Sequence, residues 1–460
     1  MAFSFKNVSS RLDSYYEFDR VPVTEDKLQG SVKFISFFAG EHVAATEFVI
    51  GSFFVLHGIT AKELIWGLLI GNLLAVLSWA FICAPIAVRI RLTLYWYLRR
   101  IIGPGLTSVY NIINAVLYCI LAGAMISVSA TAVGLAFKIP TPALTDFLPN
   151  SVGWVLITLF VGLVVTLIAI LGFEKLSEFS KVCVPWMFIV FIAGAVVLLP
   201  RFGQINSFQD FWNIASTEIW NGKVTEGQDR FSIWHIIFFA WFCNLAMHIG
   251  LSDMATLRYA KKWSYGFYSA FGMYLGHLIC WICSGIMVVA VKREMNPGLM
   301  AYTAAGIAGT VAVVLAGWTT ANPTLYRAGL AFQSLTPNWK RWKVTLVAGL
   351  VTTITSCFPG FFLRLLDFVA IYGLVLMPIG AVVFTEHWIF PILKITQYRI
   401  EKFKKLFNIP ALITWFLTLL LCYILPVHLF FKWLPGYIFA IILYIFLTYI
   451  TLKFNKNEIS

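Results

Sequence analysis

The strongest constraint in this chain is a rhythm. Apolar runs of roughly 18 to 25 residues, each long enough to cross a hydrocarbon core about 30 Å thick, recur from near residue 33 to near residue 453. Inside a bilayer every backbone polar group must be satisfied internally, which leaves helices or a closed barrel. Barrel strands need only about ten alternating residues, so runs of this length are helices. The expected spans are 33–57, 64–88, 105–136, 152–171, 182–200, 232–252, 265–291, 301–322, 343–359, 366–386, 410–427 and 434–453. With 60% hydrophobic and 12% charged residues there is too little polar surface for a soluble globule. The fold class is an all-α polytopic membrane protein with twelve transmembrane helices.

The formal charge of +13 raises nucleic acid as a partner, but the basic residues are dispersed among loops, with no basic domain and no aromatic-interleaved groove. Topology accounts for them better. With both termini inside, 25 of the 34 Lys and Arg fall on the even-numbered side of the membrane, four of them between spans 8 and 9, and nine on the other. That bias fits cytoplasmic termini in a cell (plasma or inner) membrane. Residues 1–32 are polar and lack the apolar core of a signal peptide, so this tail is expected to stay cytosolic. All eight cysteines lie in apolar segments and are expected to be reduced. Cys280-Trp-Ile-Cys283 has the spacing of a redox or zinc motif but no second pair, and no metal other than sodium is expected.

The chain divides into a cytoplasmic tail (1–32), a first five-helix unit (33–200), an external loop (201–231), a second five-helix unit (232–390), a cytoplasmic linker (391–409), two final helices (410–453) and a C-terminal tail (454–460). An inverted 5+5 repeat is suggested by paired positions. Phe37-Phe38-Ala39-Gly40 opens span 1 and Phe238-Phe239-Ala240-Trp241 lies in span 6; Gly67-x3-Gly71 marks span 2 and Gly272-x3-Gly276 span 7. Small-xxx-small pairs let two backbones approach closely. The loop 201–231 is expected to form a short surface helix or cap. The basic, aromatic stretch between spans 2 and 3 reads as an amphipathic segment at the cytoplasmic interface.

Span 1 carries Glu41, His42 and Glu47 in an apolar run, and each such charge costs about 2.5 to 3.5 kcal/mol at the centre of a membrane helix. A helix break at Ala39-Gly40 would free backbone groups at mid-membrane and place Glu41 and His42 beside them. The alternative is that Glu41 pairs with a basic or amide group on a neighbouring helix and only holds the bundle together. Glu47 is expected outside the site, as a structural partner or an outer gate. In span 6, Trp241, Asn244 and His248 offer an aromatic, an amide and an imidazole to a flat hydrogen-bonding ligand, the last two four residues apart on one face. Asp253, before Arg258, Lys261 and Lys262, suits an ion pair. In span 8, the adjacent hydroxyls of Thr319 and Thr320 suit a hard cation, or back-bond to helix carbonyls. Asn111, Asn114 and Tyr118 form a polar, aromatic stripe on span 3.

Four stretches together resemble the nucleobase-cation symporters, the family of purine and cytosine permeases and hydantoin transporters. They are FFAGEHVAATEFVIGSFF in span 1; Arg99-x3-Gly103; Ser252-Asp253 followed by Arg258-Tyr259-Ala260-Lys261; and TTANPTLYRAGLAF from Thr319. The resemblance implies a leucine-transporter-type fold, two inverted five-helix repeats with helices 1 and 6 unwound at mid-membrane, substrate between helices 1, 3, 6 and 8, and alternating access coupled to sodium or protons. It further implies that Thr319 and Thr320 are sodium-site hydroxyls completed by carbonyls of Ala316 and of the helix 1 break near Ala39, that Tyr118 holds a stacking position, and that Asn244 lies near a substrate-facing aromatic. The chain departs from the family pattern at Ala122, at Thr324, in the spacing from Asp253 to Arg258, and in Glu41-His42.

The expected function is import of a nucleobase or related nitrogenous heterocycle by a symporter, with Glu41, His42, Tyr118, Trp241, Asn244, His248 and Thr324 as substrate contacts. Ala39, Ala316, Thr319 and Thr320 are the expected cation contacts. A transporter of amino acids, amines or other cationic metabolites is the alternative; a sensor that does not transport, or a metal-dependent membrane enzyme, is more remote, since no HExxH-type spacing is present. The expected partners are the small-molecule substrate and the bilayer, with the chain a monomer or loose oligomer.

Overall fold

A computed structural model describes residues 12, 17–142, 146–291, 296–336, 338–361 and 365–454. Most of the two expected tails, residues 1–11, 13–16 and 455–460, lies outside the described residues. Among the described residues twelve helical units answer to the expected spans. They are α1 (Ser31–His42 then Thr46–Leu56), α2 (Ala61–Ile90), α3 (Pro104–Ala136), α4 (Val152–Ala169), α5 (Phe173–Leu198), α6 (Ile233–Phe242 then Leu245–His248), α7 (Trp263–Ala290), α8 (Pro297–Gln333), α9 (Arg341–Thr355), α10 (Leu365–Phe384), α11 (Ile409–Ile424) and α12 (Trp433–Phe454). The largest departure from the expected spans is α8, which runs well past residue 322. Pro323 removes one amide from the ladder but does not end the helix. Arg327, counted from sequence among the loop cations between spans 8 and 9, is therefore inside the membrane and fully buried.

Packing follows the expected repeat. Both halves of α1 pack on α7, as α6 packs on α2; α5 packs on α1 and α8, as α10 packs on α6 and α3; and α4 packs on α9. Each of these contacts has its counterpart five helices later. The paired glycines sit where two of these approaches are close. A Cβ on Gly71 would stand 2.5 Å from the Ile237 carbonyl, and one on Gly272 would stand 2.6 Å from the Phe38 carbonyl. The glycine pairs thus bring α2 onto α6 and α7 onto α1, the same relation in both halves.

The loop between α5 and α6 forms the expected cap. A helix begins at Phe208 and runs through Ile219, Trp220 lies against Gly285 of α7, and short bridges join His57 to Val224 and Thr60 to Asn221. The stretch between α2 and α3 forms a helix at Leu94–Ile101. It buries Leu94, Tyr95, Tyr97, Leu98 and Ile101 and turns Trp96, Arg99 and Arg100 outward, so its apolar face packs on protein rather than on lipid.

Candidate functional site

Two helix breaks make the site. α1 bends by 53° between its halves, at Val43–Ala45 rather than at Ala39-Gly40. Ala39 keeps its helical bond, accepting from the Val43 amide at 2.9 Å. Gly40 is spent on packing, since a Cβ there would stand 2.6 Å from Ser180 Cβ on α5. α6 breaks at Cys243 and Asn244, and Asn244 takes a left-handed conformation (φ +69°) before the short Leu245–His248 turn, a conformation asparagine tolerates better than most residues.

Between the breaks lies a cavity of about 50 Å³, room for one or two waters at about 30 Å³ each. Glu41, His42 and Asn244, all expected at the site, line it together with Thr320. Glu47, expected outside, lines it too, because moving the break three residues onward brings the first turn of the second half-helix into the wall. Its carboxylate accepts from Thr46 Oγ1 at 3.0 Å and from the Trp281 indole N–H. Among the described residues no lysine or arginine pairs with it. His277, which stacks on Trp281 at 4.3 Å and faces the His42 ring at 5.2 Å, and Tyr372 complete the polar lining.

Four expected substrate contacts are elsewhere. Trp241 turns away toward α2 and α12, donating to Ser78 Oγ at 2.9 Å and packing on Trp433. His248 packs on Trp79 at 4.5 Å; the break at Asn244 ends the continuous helical face that would have placed the two side by side. Thr324 back-bonds to the Thr320 carbonyl at 2.6 Å. Tyr118 stands behind the lining, edge-on to Tyr372 with centroids 5.5 Å apart.

The electrostatic centre is a residue that the sequence pattern did not single out. Arg327 donates to both oxygens of Glu41, at 3.0 Å to Oε2, and to Asp253. Asp253 also accepts from the Trp79 indole at 2.6 Å. Two carboxylates and one guanidinium, all buried, tie the first half of α1, the segment after the α6 break and α8 into one cluster, with one excess negative charge when both acids are ionised. Asp253 thus pairs with Arg327 and not with the basic residues just after it in sequence. Arg258 instead donates to the carbonyls of Glu17 and Phe18, and the Glu17 carboxylate accepts from Tyr259 at 2.8 Å and Tyr326 at 2.7 Å, drawing the N-terminal segment under the cluster. One signal could have revealed Arg327: it stands seven residues after Thr320, two helical turns along the same face.

Oxygen atoms converge beside the α1 break. Thr320 Oγ1 lies 3.3 Å from the Glu41 carbonyl and 3.0 Å from that of Ala316, which Thr319 Oγ1 also approaches at 3.2 Å. The α1 carbonyl facing α8 is therefore that of Glu41, not Ala39. Hydroxyls and carbonyls are the donors that hard cations take. Among the described residues no His/Cys/Asp/Glu cluster has metal-binding geometry.

No family model matches the chain, and no curated protein matches it by sequence. Solved structures do. MHP1, a nucleobase-cation-symport-1 family transporter in a closed conformation with bromovinylhydantoin bound, is 16% identical and aligns over 95% of this chain and 96% of its own with a TM-score of 0.74. A Na+-coupled sialic acid symporter in a substrate-bound outward-open state aligns over 95% of both chains (13% identical, TM-score 0.63). MhsT in complex with L-phenylalanine covers 91% of this chain and 98% of its own (12% identical, TM-score 0.58). At these identities the common property is the fold.

Proposed function

We propose that the chain is a secondary active transporter, a symporter that imports a nucleobase or related small nitrogenous heterocycle by alternating access, with sodium as the coupling ion. The observation that carries this reading is the small cavity where the α1 and α6 breaks meet, in which polar groups stand among apolar walls such as Ile50, Leu121 and Phe239, with the Thr319–Thr320 oxygen cluster at its edge. His42, Asn244 and Glu47 offer both donors and acceptors to a flat ring, and Tyr372 offers an aromatic wall. Glu41 acts through Arg327 and not as a free counter-ion, which favours a neutral substrate over an amine. At about 50 Å³ the cavity is well below the 300 Å³ or more usual for organic ligands, so a heterocycle enters only as the wall residues move outward. A cation at Thr320 would touch the Glu41 carbonyl and offset the excess negative charge of the triad, which links ion binding to the helices that must move.

One observation favours a second reading, proton coupling. Glu47 faces the cavity with only neutral donors around it, an arrangement that suits a carboxyl group able to take up and release a proton. Thermal shift of the purified protein against nucleobases, hydantoins, vitamins, amines and amino acids, with and without sodium, tests both readings. A ligand at 100 times its Kd adds about 2.7 kcal/mol. The proposal expects shifts from heterocycles that grow with sodium; shifts confined to amines or amino acids would overturn the substrate class. Sodium-indifferent shifts that vanish in Glu47→Gln would transfer the coupling to protons.

A further inference from the structure

We infer a second binding site on the cytoplasmic face, for the phosphate headgroup of an anionic membrane lipid. It is a cavity of about 500 Å³ between the N-terminal segment, the interfacial helix Leu94–Ile101 and the linker to α11, remote in sequence from every residue of the mid-membrane cavity. Five cations line it, Arg20, Arg99, Arg100, Lys404 and Lys405, against one carboxylate, Glu401. That carboxylate is already engaged by Arg100 at 2.8 Å, and Asp19, beside the lining, lies 3.7 Å from Arg20, so cations still outnumber carboxylates by five to two.

The three arginines are held in place. Arg99 lies over the Trp96 ring at 4.6 Å and Arg20 over the same ring at 5.6 Å, while Arg20 also donates to the carbonyls of Gln333 and Thr336 at the end of α8. Pro104 in the lining is the first residue of α3, whose N-terminal dipole adds to the positive field. Guanidinium groups fixed in this way are suited to phosphate oxygens.

A lipid fits better than a soluble phosphate because of what adjoins the cations. Directly after Lys404 and Lys405 the linker exposes Leu406 (64%), Phe407 (45%) and Ile409 (54%) as it enters α11. A phosphate on the basic shelf would therefore have its acyl chains beside an apolar surface at the depth of the interface, the pairing a phospholipid presents. Bound there, the lipid would join the N-terminal segment, which carries Glu17 under the central cluster, to the interfacial helix and the linker.

The test is a titration of the full-length protein in detergent with phosphatidylglycerol, phosphatidylcholine, glycerol 3-phosphate and inorganic phosphate, read by thermal shift and by native mass spectrometry. Phosphatidylglycerol is expected to raise the melting temperature and to remain bound, the other three to do neither. Each surface cation contributes about fivefold to such binding. The Arg99→Gln/Lys404→Gln variant, which changes two exposed or half-exposed side chains, should thus need ~25-fold more phosphatidylglycerol. Lys432→Gln, a cation on the external side, should bind like wild type, as a control for general charge. Equal responses to phosphatidylglycerol and phosphatidylcholine, or a double variant that binds like wild type, would overturn the site. An equal response to glycerol 3-phosphate or inorganic phosphate would overturn the lipid assignment and leave a soluble-anion site.

Discussion

Replacing Arg327 by glutamine should be among the most damaging single changes in the protein, and much worse than replacing Glu41. Arg327 serves two carboxylates at once, Glu41 and Asp253, and all three side chains are buried. Removing one partner of a buried ion pair costs about 3–5 kcal/mol because the other is left as an uncompensated charge. Here two anions would be orphaned, so that figure is a floor, and against a total stability of roughly 5–15 kcal/mol it is a large fraction. Glu41→Gln leaves the Arg327–Asp253 pair neutral and complete, and should cost only about 1–3 kcal/mol for one charge-assisted hydrogen bond. In detergent, heating followed by size-exclusion chromatography should show Arg327→Gln melting roughly 5 to 10 °C below wild type, with Glu41→Gln between the two. Adding Glu41→Gln to Arg327→Gln should recover part of the loss, because one orphaned anion is then gone. Wild-type melting in Arg327→Gln, or no recovery in the double variant, would refute the triad as the electrostatic centre.

Other consequences are as direct. Thr320→Ala removes the hydroxyl that bridges the Glu41 and Ala316 carbonyls; sodium-dependent thermal shift should weaken at least tenfold in this variant while melting without sodium stays close to wild type. Gly276→Ala places a Cβ on the His42 backbone, whereas Gly30→Ala meets nothing within 4 Å; the first should lose yield and monodispersity in size-exclusion profiles and the second should not. Outside the spans, burial lowers the pKa values of His57 and His428. The unfolded chain then binds more protons below about pH 6.5, so stability contributed by these neutral rings is full above that pH and lost as the pH falls toward their folded values. Melting temperatures measured from pH 8 to pH 5 should decline less steeply in His57→Asn/His428→Asn than in wild type.

Much of the fold was legible in the sequence because membrane spans are set by length and apolarity, both local properties. The paired glycines of α2 and α7 were readable for a similar reason: a contact repeated five helices later leaves its mark twice. The site was legible only where chemistry is local. Glu41, His42, Asn244 and Thr320 stand out in an apolar run whatever the tertiary structure, and they meet. The break in α1 was misplaced because glycine has two uses in a membrane helix, unwinding and close packing, and Gly40 serves the second against Ser180. Arg327 was misread because span 8 was ended at residue 322, eleven residues short of the helix end at Gln333, which turned a buried cation into a loop residue. Its partners are 286 and 74 residues away, and no local pattern encodes such distances. His248 points away from the cavity because a left-handed Asn244 rotates the next turn of the chain, an effect that helical periodicity ignores, while Trp241, ahead of that break, is drawn to Ser78 and Trp433.

The mid-membrane cavity is held to carry substrate together with a cation bound by Thr320. Uptake of labelled nucleobases and hydantoins into proteoliposomes under an inward sodium gradient at fixed pH, in wild type and in Thr320→Ala, measures this most directly. Concentrative uptake of at least one heterocycle is predicted, collapsing without the gradient and in Thr320→Ala. Binding with no flux under any gradient, or flux that ignores sodium and survives Thr320→Ala, would contradict it.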